Sequence, residues 1–284
     1  MAVDYLIIGN ITQDLLTDGG FTVGGTVTYA ARTALALDRR VAVVTSHAPD
    51  LDLDDVLSGI EVALLPSDKT MTFENIYTPA GREQYLHAQA SPLSLEAVPR
   101  QWRQPAIVHL APLAAECDPD LATAFPGALV GVTPQGWMRA WDGSGRVRVS
   151  EWPGAEELLP KVDAAVMSIN DAAGDEATIA RFARLAPILV VTLGAQGCRV
   201  YVDGVARHVP VTPMPELDPT GAGDIFAAAF FVCLHQNSDP WSAADFANHV
   251  AAMSVQRVGW TGTPTREEIA SVKATVSLVS AACD

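Results

Sequence analysis

The chain has 284 residues, 49% of them hydrophobic and 18% charged, with a formal net charge of −15 and a pI near 4.7. So long and apolar a chain can bury a full core, which excludes disorder as its theme and favours one large α/β domain over two small ones. The acidic excess repels polyphosphate backbones and anionic lipid, so nucleic acid and membrane surfaces are poor partners, although a local pocket can still hold a small anion.

In chain order, Val3–Ile8 reads as a buried strand. The start, MAVDYLIIGN, has no basic region and carries Asp4 ahead of its apolar run, unlike a secretory leader. Asp14 follows in a loop, and the pair Gly24-Gly25 precedes a helix predicted over Thr28–Leu37. Paired glycines there permit close backbone approach to a polar ligand, or simply form a loop. Val41–Thr45 is again a strand. Phe21–Val23 and Thr70–His87 mix polar, aromatic and β-branched residues, the latter around a Pro79-Ala80-Gly81 turn signal. That pattern predicts a half-exposed hairpin, either a plain surface element or a cover over a site. Ala106–Leu110, Ala128–Val132, Ala164–Ser168 and Ile188–Thr192 are brief apolar runs, with helix-like Leu121–Phe125 and Asp175–Leu185 between them. The alternation predicts a parallel sheet covered on both faces. The apolar stretch Ile225–Leu234 falls short of the roughly 20 residues that cross a bilayer. Cys117, Cys198, Cys233 and Cys283 lie far apart, which suggests neither zinc nor a disulfide framework. A soluble, cytoplasmic protein is the expectation.

The segment Asp218-Pro-Thr-Gly-Ala-Gly-Asp224 is the most informative. Pro219 and two glycines hold off a helix as far as Gly223, and an Ala/Phe-rich helix then begins. A glycine turn feeding a helix N-terminus points free N–H groups outward and forms an anion cradle. A carboxylate at Asp224 opposes that cradle unless it has a task, and the natural one is accepting the proton of a hydroxyl that attacks phosphorus. Otherwise Asp224 caps the helix. No GxxxxGK[ST] and no protein-kinase signature set occurs, and Gly9-Asn10-Ile11-Thr12 is no dinucleotide fingerprint. Val191–Gly197 runs from a strand end into a glycine turn, where ligands of open α/β sheets gather.

Taken in order, these residues resemble the ribokinase-like (PfkB-type) carbohydrate kinases over essentially the whole chain. Gly9 to Asp14, Gly24-Gly25, Thr192-Leu193-Gly194 with Gly197, and the DPTGAGD segment carry the likeness, with Asn248, Ala251–Gly259 and Pro264–Glu268. The resemblance implies a three-layer α/β/α sandwich, with a mostly parallel sheet and a small β lid from segments near 11–23 and 68–90 of a single domain, 1–284. It implies Asp224 as catalytic base and Gly221, Ala222 and Gly223 as anion hole. Thr192, Gly194, Gly197 and Asn248 would lie around ATP, with adenine between Val191–Gly197 and Asn248–Met253. Family members use Mg²⁺ with the nucleotide, and many respond to a monovalent cation near the position matching Asp218. A monomer or a homodimer is the expectation for this chain.

Three departures stand out. Tyr29 replaces a first-helix Asn that contacts sugar in the family, and Asn170-Asp171-Ala172-Ala173 lacks the Glu of NxxE, so either Asp171 or Asp175 compensates or metal dependence is altered. Ser46–Leu53 replaces a glycine-rich GxVGxDxxG. The middle of the chain resembles the inositol kinase branch, through Phe73-Glu74-Asn75-Ile76-Tyr77, Gly81-Arg82-Glu83 and Gln135-Gly136-Trp137-Met138-Arg139, with Thr133 where that branch has an acid. The likeness implies Asp14, Gly24, Gly25, Asn75, Gln135 and Arg139 as acceptor contacts. The expected reaction is ATP-dependent phosphorylation of a polyol or sugar hydroxyl, myo-inositol foremost. A nucleoside, ribose or fructose kinase and a silent nucleotide-binding member of the fold are the alternatives.

Overall fold

The computed structural model describes the backbone of residues 3–78 and 81–281. In chain order the strands are β1 (Tyr5–Ile8), β2 (Thr12–Leu15), β3 (Phe21–Gly24), β4 (Val41–His47), β5 (Glu61–Pro66), β6 (Met71–Thr78) and β7 (Gly81–Ala88). They continue with β8 (Ile107–Leu110), β9 (Leu129–Val132), β10 (Arg139–Trp141), β11 (Val147–Val149), β12 (Ala164–Ser168), β13 (Ile188–Thr192), β14 (Cys198–Val202) and β15 (Val205–Val209). The helices are α1 (Thr26–Ala36), α2 (Ala155–Leu158), α3 (Glu176–Leu185), α4 (Ala222–Asn237), α5 (Pro240–Ser254) and α6 (Arg266–Ala281).

Nine strands form one sheet in the order β15-β14-β13-β12-β9-β8-β1-β4-β5. Neighbours from β13 to β5 pair parallel, and β14 and β15 add an antiparallel edge. Successive side chains of a strand point to opposite faces. Tyr5 and Ile7 therefore join the core under α1, α4 and α5, while Leu6 and Ile8 join the core on the α3 side. Both cores are apolar, so the central strands read as unbroken hydrophobic runs. The result is a ribokinase-like three-layer α/β/α sandwich.

A separate four-stranded sheet has the order β3-β2-β6-β7, with β2 parallel to β6 and the other pairs antiparallel. Its inner face sends Met71, Phe73 and Leu86 onto Leu113 and Ala114 of the body. Pro79 and Ala80 of the predicted turn, and the side chains of Tyr77 and Arg82, lie outside the described residues.

Two local expectations need correction. Leu121–Phe125 is not a helix; the segment is a 3₁₀ turn over Pro119–Thr123, capped by the Asp118 carboxylate accepting from the Asp120 N–H. Pro119 at its start and Pro126-Gly127 just beyond its end bound that turn. Helix α4 begins at Ala222 rather than after Gly223, because Gly221 alone takes the left-handed cap conformation, φ 80°.

Candidate active site

A cavity of about 940 Å³ opens at the carboxyl ends of the parallel strands, between the four-stranded sheet and the start of α4. Every predicted site residue except Gly24 lines it. Gly24 lies behind Asp14: a side chain at Gly24 would collide with the Asp14 carboxylate. Its smallness seats that carboxylate rather than a ligand.

The floor is the first turn of α4. Its capping residue, Gly221, contributes no side-chain cap, and the Ala222 N–H turns back to the Pro219 carbonyl at 3.2 Å. The next N–H groups, at Gly223 and Asp224, belong to the turn that has no intrahelical acceptor. Gly221 lies flat on the ring of Tyr29, which a Cβ at Gly221 would strike. Tyr29 thus supports the glycine turn. Its phenol is pushed well up by burial and by the charges of Asp224, Asp14 and Asp218.

Burial pushes the Asp224 carboxyl up to about 6; hydrogen bonding from Thr26 and the charge of Arg139 oppose the rise, while Asp171 and Asp14 add to it. Such a carboxylate is ionised at neutral pH yet basic enough to take a proton. Thr26 opens α1 behind Gly25, itself at φ 86°. The glycine pair and the DPTGAGD turn therefore converge on one carboxylate from two helix starts. Thr26 directly follows the Gly24-Gly25 signal, but its role toward Asp224 was not assigned from the sequence.

The side of the cavity under the four-stranded sheet is lined by polar side chains. Asn75 on β6 accepts through Oδ1 from Gln84 Nε2 across the hairpin at 3.0 Å. Arg139 donates to the Leu113 carbonyl at 3.3 Å, its guanidinium 5.7 Å from the Phe73 ring centre. Gln135 Nε2 donates to Asp171 Oδ1 at 2.9 Å, and Asp171 Oδ2 accepts from the Ser168 N–H at 2.8 Å. Asp171, in the altered NxxE segment, thus lines the same cavity as Asp224. Gln84 and Arg148 also line it and carry no sequence motif. Glu116 was missed as well. Buried in the loop after β8, it accepts from the N–H groups of Asn10, Leu113 and Ala114 and so ties the ends of β1 and β8 together.

On the other side, Thr192 and Gly194 end β13, and Ala251 and Ala252 of α5 give a small-residue wall. Asn248 is buried and donates to the carbonyls of Val209 at 3.0 Å and Pro210 at 3.4 Å, which holds the end of β15 against α5. Asp218 accepts from the Thr220 N–H at 2.9 Å and from the Gly259 N–H at 2.8 Å. Burial raises its pKa, but these bonds outweigh it and leave it below the usual range. Among the described residues no group of three or more His, Cys, Asp or Glu side chains is placed to hold a metal. Nor, among them, is any helix long and apolar enough to cross a membrane.

Residues 145–266 match the model of the pfkB family carbohydrate kinases. This part of the chain resembles a pfkB-family carbohydrate kinase. An inositol 3-kinase of Zea mays is 38% identical over 133 residues, 45% of this chain and 34% of the relative. The chain spans about a third of the length of that curated relative. Among solved structures, a pyrophosphate-dependent kinase of the ribokinase family, complexed with a pyrophosphate analogue and myo-inositol, superposes with a TM-score of 0.78 at 23% identity. That match covers 94% of this chain and 99% of the other. A ribokinase of Arabidopsis thaliana, complexed with ribose and ATP, gives 0.70 at 18% identity, covering 96% and 99%. At these identities the likeness is one of fold.

Proposed function

We propose that the chain is a kinase that transfers the terminal phosphoryl group of ATP to a hydroxyl of a small polyol or sugar, with myo-inositol the first acceptor to test. The observation that carries this reading is Asp224: a carboxylate raised to about 6, set in the first turn of α4 beside unpaired N–H groups. A binding protein gains nothing from a carboxylate against phosphate. A kinase gains a base that takes the acceptor proton as the oxygen attacks phosphorus and the bond to the leaving diphosphate breaks. The Gly223 and Asp224 N–H groups would hold the charge that spreads over the phosphoryl oxygens.

Acceptor recognition falls to Asp14, Asn75, Gln135 and Arg139, and donor recognition to the β13 end and the α5 wall. Magnesium fits the carboxylates present, because it keeps waters and phosphate oxygens and asks the protein for only one or two ligands. Asp171, alongside Asp224, is the residue best placed to hold it, and the ion would supply charge neutralisation on the phosphates. Pyrophosphate is a second donor to test, since Arg148 lines the same cavity and a solved neighbour of the fold is a pyrophosphate-dependent kinase.

The test is a product assay over polyols, sugars and nucleosides, run separately with ATP and with pyrophosphate. Phosphorylation of myo-inositol with ATP supports the reading. Turnover with pyrophosphate alone overturns the donor assignment, a preferred nucleoside overturns the acceptor, and no transfer to any acceptor leaves the silent-binder alternative.

A further inference from the structure

Below the cavity a chain of hydrogen bonds runs through the core. The Tyr5 hydroxyl lies 2.8 Å from His109 Nδ1, and His109 Nε2 lies 3.0 Å from Thr133 Oγ. Tyr5 and His109 are fully buried, on neighbouring strands β1 and β8, and Thr133 sits just past β9 and lines the cavity. The edge of the His109 ring meets Phe231 of α4 at 5.0 Å between centres. Phe231 is seven residues beyond Asp224, two helical turns, so both share one face of α4. The network therefore backs the same face of the helix that presents the base.

Its proton order is fixed by burial. Burial holds the His109 pKa down to about 3, so the ring is neutral and carries one N–H. Among the described residues the Tyr5 hydroxyl bonds only His109. If Nδ1 carried the ring proton, the phenolic hydrogen would be stranded in the core, which buried donors avoid. Tyr5 therefore donates to Nδ1, and Nε2–H donates to Thr133 Oγ. Among the described residues the Thr133 hydroxyl has no other side-chain or backbone partner, and Thr133 lines the cavity, so its hydrogen is available to a ligand there.

We propose that Thr133 is a specificity-determining hydrogen-bond donor of the acceptor site, held in that polarity by the buried Tyr5–His109 pair. It begins the turn Pro134–Met138 that carries Gln135 and leads to Arg139, which places it on the acceptor side. The ligand class it selects has an oxygen lone pair at that point: a hydroxyl or ring oxygen of a polyol or sugar. A carboxylate there would ask for a donor, so the polarity is the reverse of an acidic site. Tyr5 and His109 are positioning residues, since neither reaches the cavity.

The inference rests on the kinase reading, and its test separates the two. Nitrogen-15 spectra of His109 in the full chain, without ligand, should show one neutral Nε2–H tautomer from pH 5 to 9. Tyr5→Phe should release part of the ring to the Nδ1–H form. An Nδ1–H ring in the wild type overturns the proposal whatever the enzyme turns over. With myo-inositol as probe, Thr133→Val should raise the acceptor KM about tenfold or more and remove discrimination against the deoxy analogue lacking the bonded oxygen. Thr133→Ser should restore both. Tyr5→Phe should raise the acceptor KM several-fold and leave the donor KM unchanged, whereas a purely structural Tyr5 would lower Tm and leave both KM values in place. An acceptor KM unchanged by Thr133→Val also overturns the proposal. Absence of phosphorylation of every acceptor, with the Nε2–H tautomer intact, sinks the kinase reading and leaves the donor polarity standing.

Discussion

In the nine-stranded sheet β1, β4 and β8 are buried at every position, whereas in the four-stranded sheet β2 runs from buried Thr12 to exposed Leu15. The two sheets meet at one cavity and supply different things to it. The large sheet and α4 provide a closely packed floor: Gly221 rests on Tyr29, Asp224 is set between two helix starts, and His109 is hydrogen-bonded beneath. The small sheet provides a polar inner face, Asp14, Asn75 and Gln84, on strands that carry exposed Leu15, Phe21 and Ile76 outside. On the proposed reading, chemistry sits on the buried floor and acceptor recognition on the partly exposed small sheet. Perturbing the floor should therefore cost turnover, and perturbing the small sheet should cost acceptor affinity.

The largest effect is expected at Asp224. Asp224→Asn should lower turnover on the order of 10²–10⁴-fold, because the amide cannot take the hydroxyl proton. The same change should stabilise the fold. The native carboxyl titrates at about 6 against an ordinary 3.8, so the folded state holds its proton more tightly than the unfolded state. Its contribution to stability is greatest below pH 3.8 and is lost as pH rises through 6, by at most about 3 kcal/mol. Asn removes that penalty, so the thermal midpoint at pH 8 should rise. Turnover within a few-fold of wild type, with no gain in stability, would reduce Asp224 to a helix-end residue and erase the contrast between floor and small sheet.

Gly221→Ala comes next. It places a methyl into the Tyr29 ring at a backbone angle that L-residues rarely adopt, and should destabilise by about 1–3 kcal/mol while lowering turnover. Adding Tyr29→Ala removes the collision but not the angle. The double variant should therefore recover more stability than the sum of the single effects allows, and strict additivity would show that the ring does not support the turn.

The pH profile is a third, gentler probe of the floor. Since the base must be ionised, kcat/KM should fall tenfold per pH unit below about 6 and be flat above it. A fall beginning near 4 would mean that the working site is not the buried one described.

Within the floor, the Asp218–Asp224 turn was the part most legible from the sequence, and the reason is physical. Pro219, Gly221 and Gly223 constrain the backbone locally, so Asp218–Asp224 announces its turn without help from distant residues. Strands such as Val41–Thr45 and Ile188–Thr192 were legible because burial on both faces leaves only apolar letters. The edge strand β5, exposed or half-exposed along Glu61–Pro66, lacks that signature and was missed. Glu116, Thr133 and His109 act through partners 106, 24 and 104 positions away, a pairing that a single sequence does not display. Leu121–Phe125 was misread because its composition suits a helix while Asp118-Pro119 and Pro126-Gly127 allow only a short turn.

The smallest effect is expected on the small sheet. Gln84 donates to Asn75 across the β6–β7 hairpin, and both side chains line the cavity while remaining half-buried. One neutral hydrogen bond of this kind contributes about 0.5–1.5 kcal/mol. Gln84→Leu should therefore raise the acceptor KM roughly three- to tenfold, the same energy expressed as binding. The hairpin should stay paired, because its backbone ladder from Thr72–Ala88 onward does not use the side-chain bond. The floor lies on a different element, so kcat and the donor KM should stay within twofold. If the donor KM moved and the acceptor KM did not, the small sheet would be reading the phosphoryl donor, and the division of labour between the two sheets would have to be reversed.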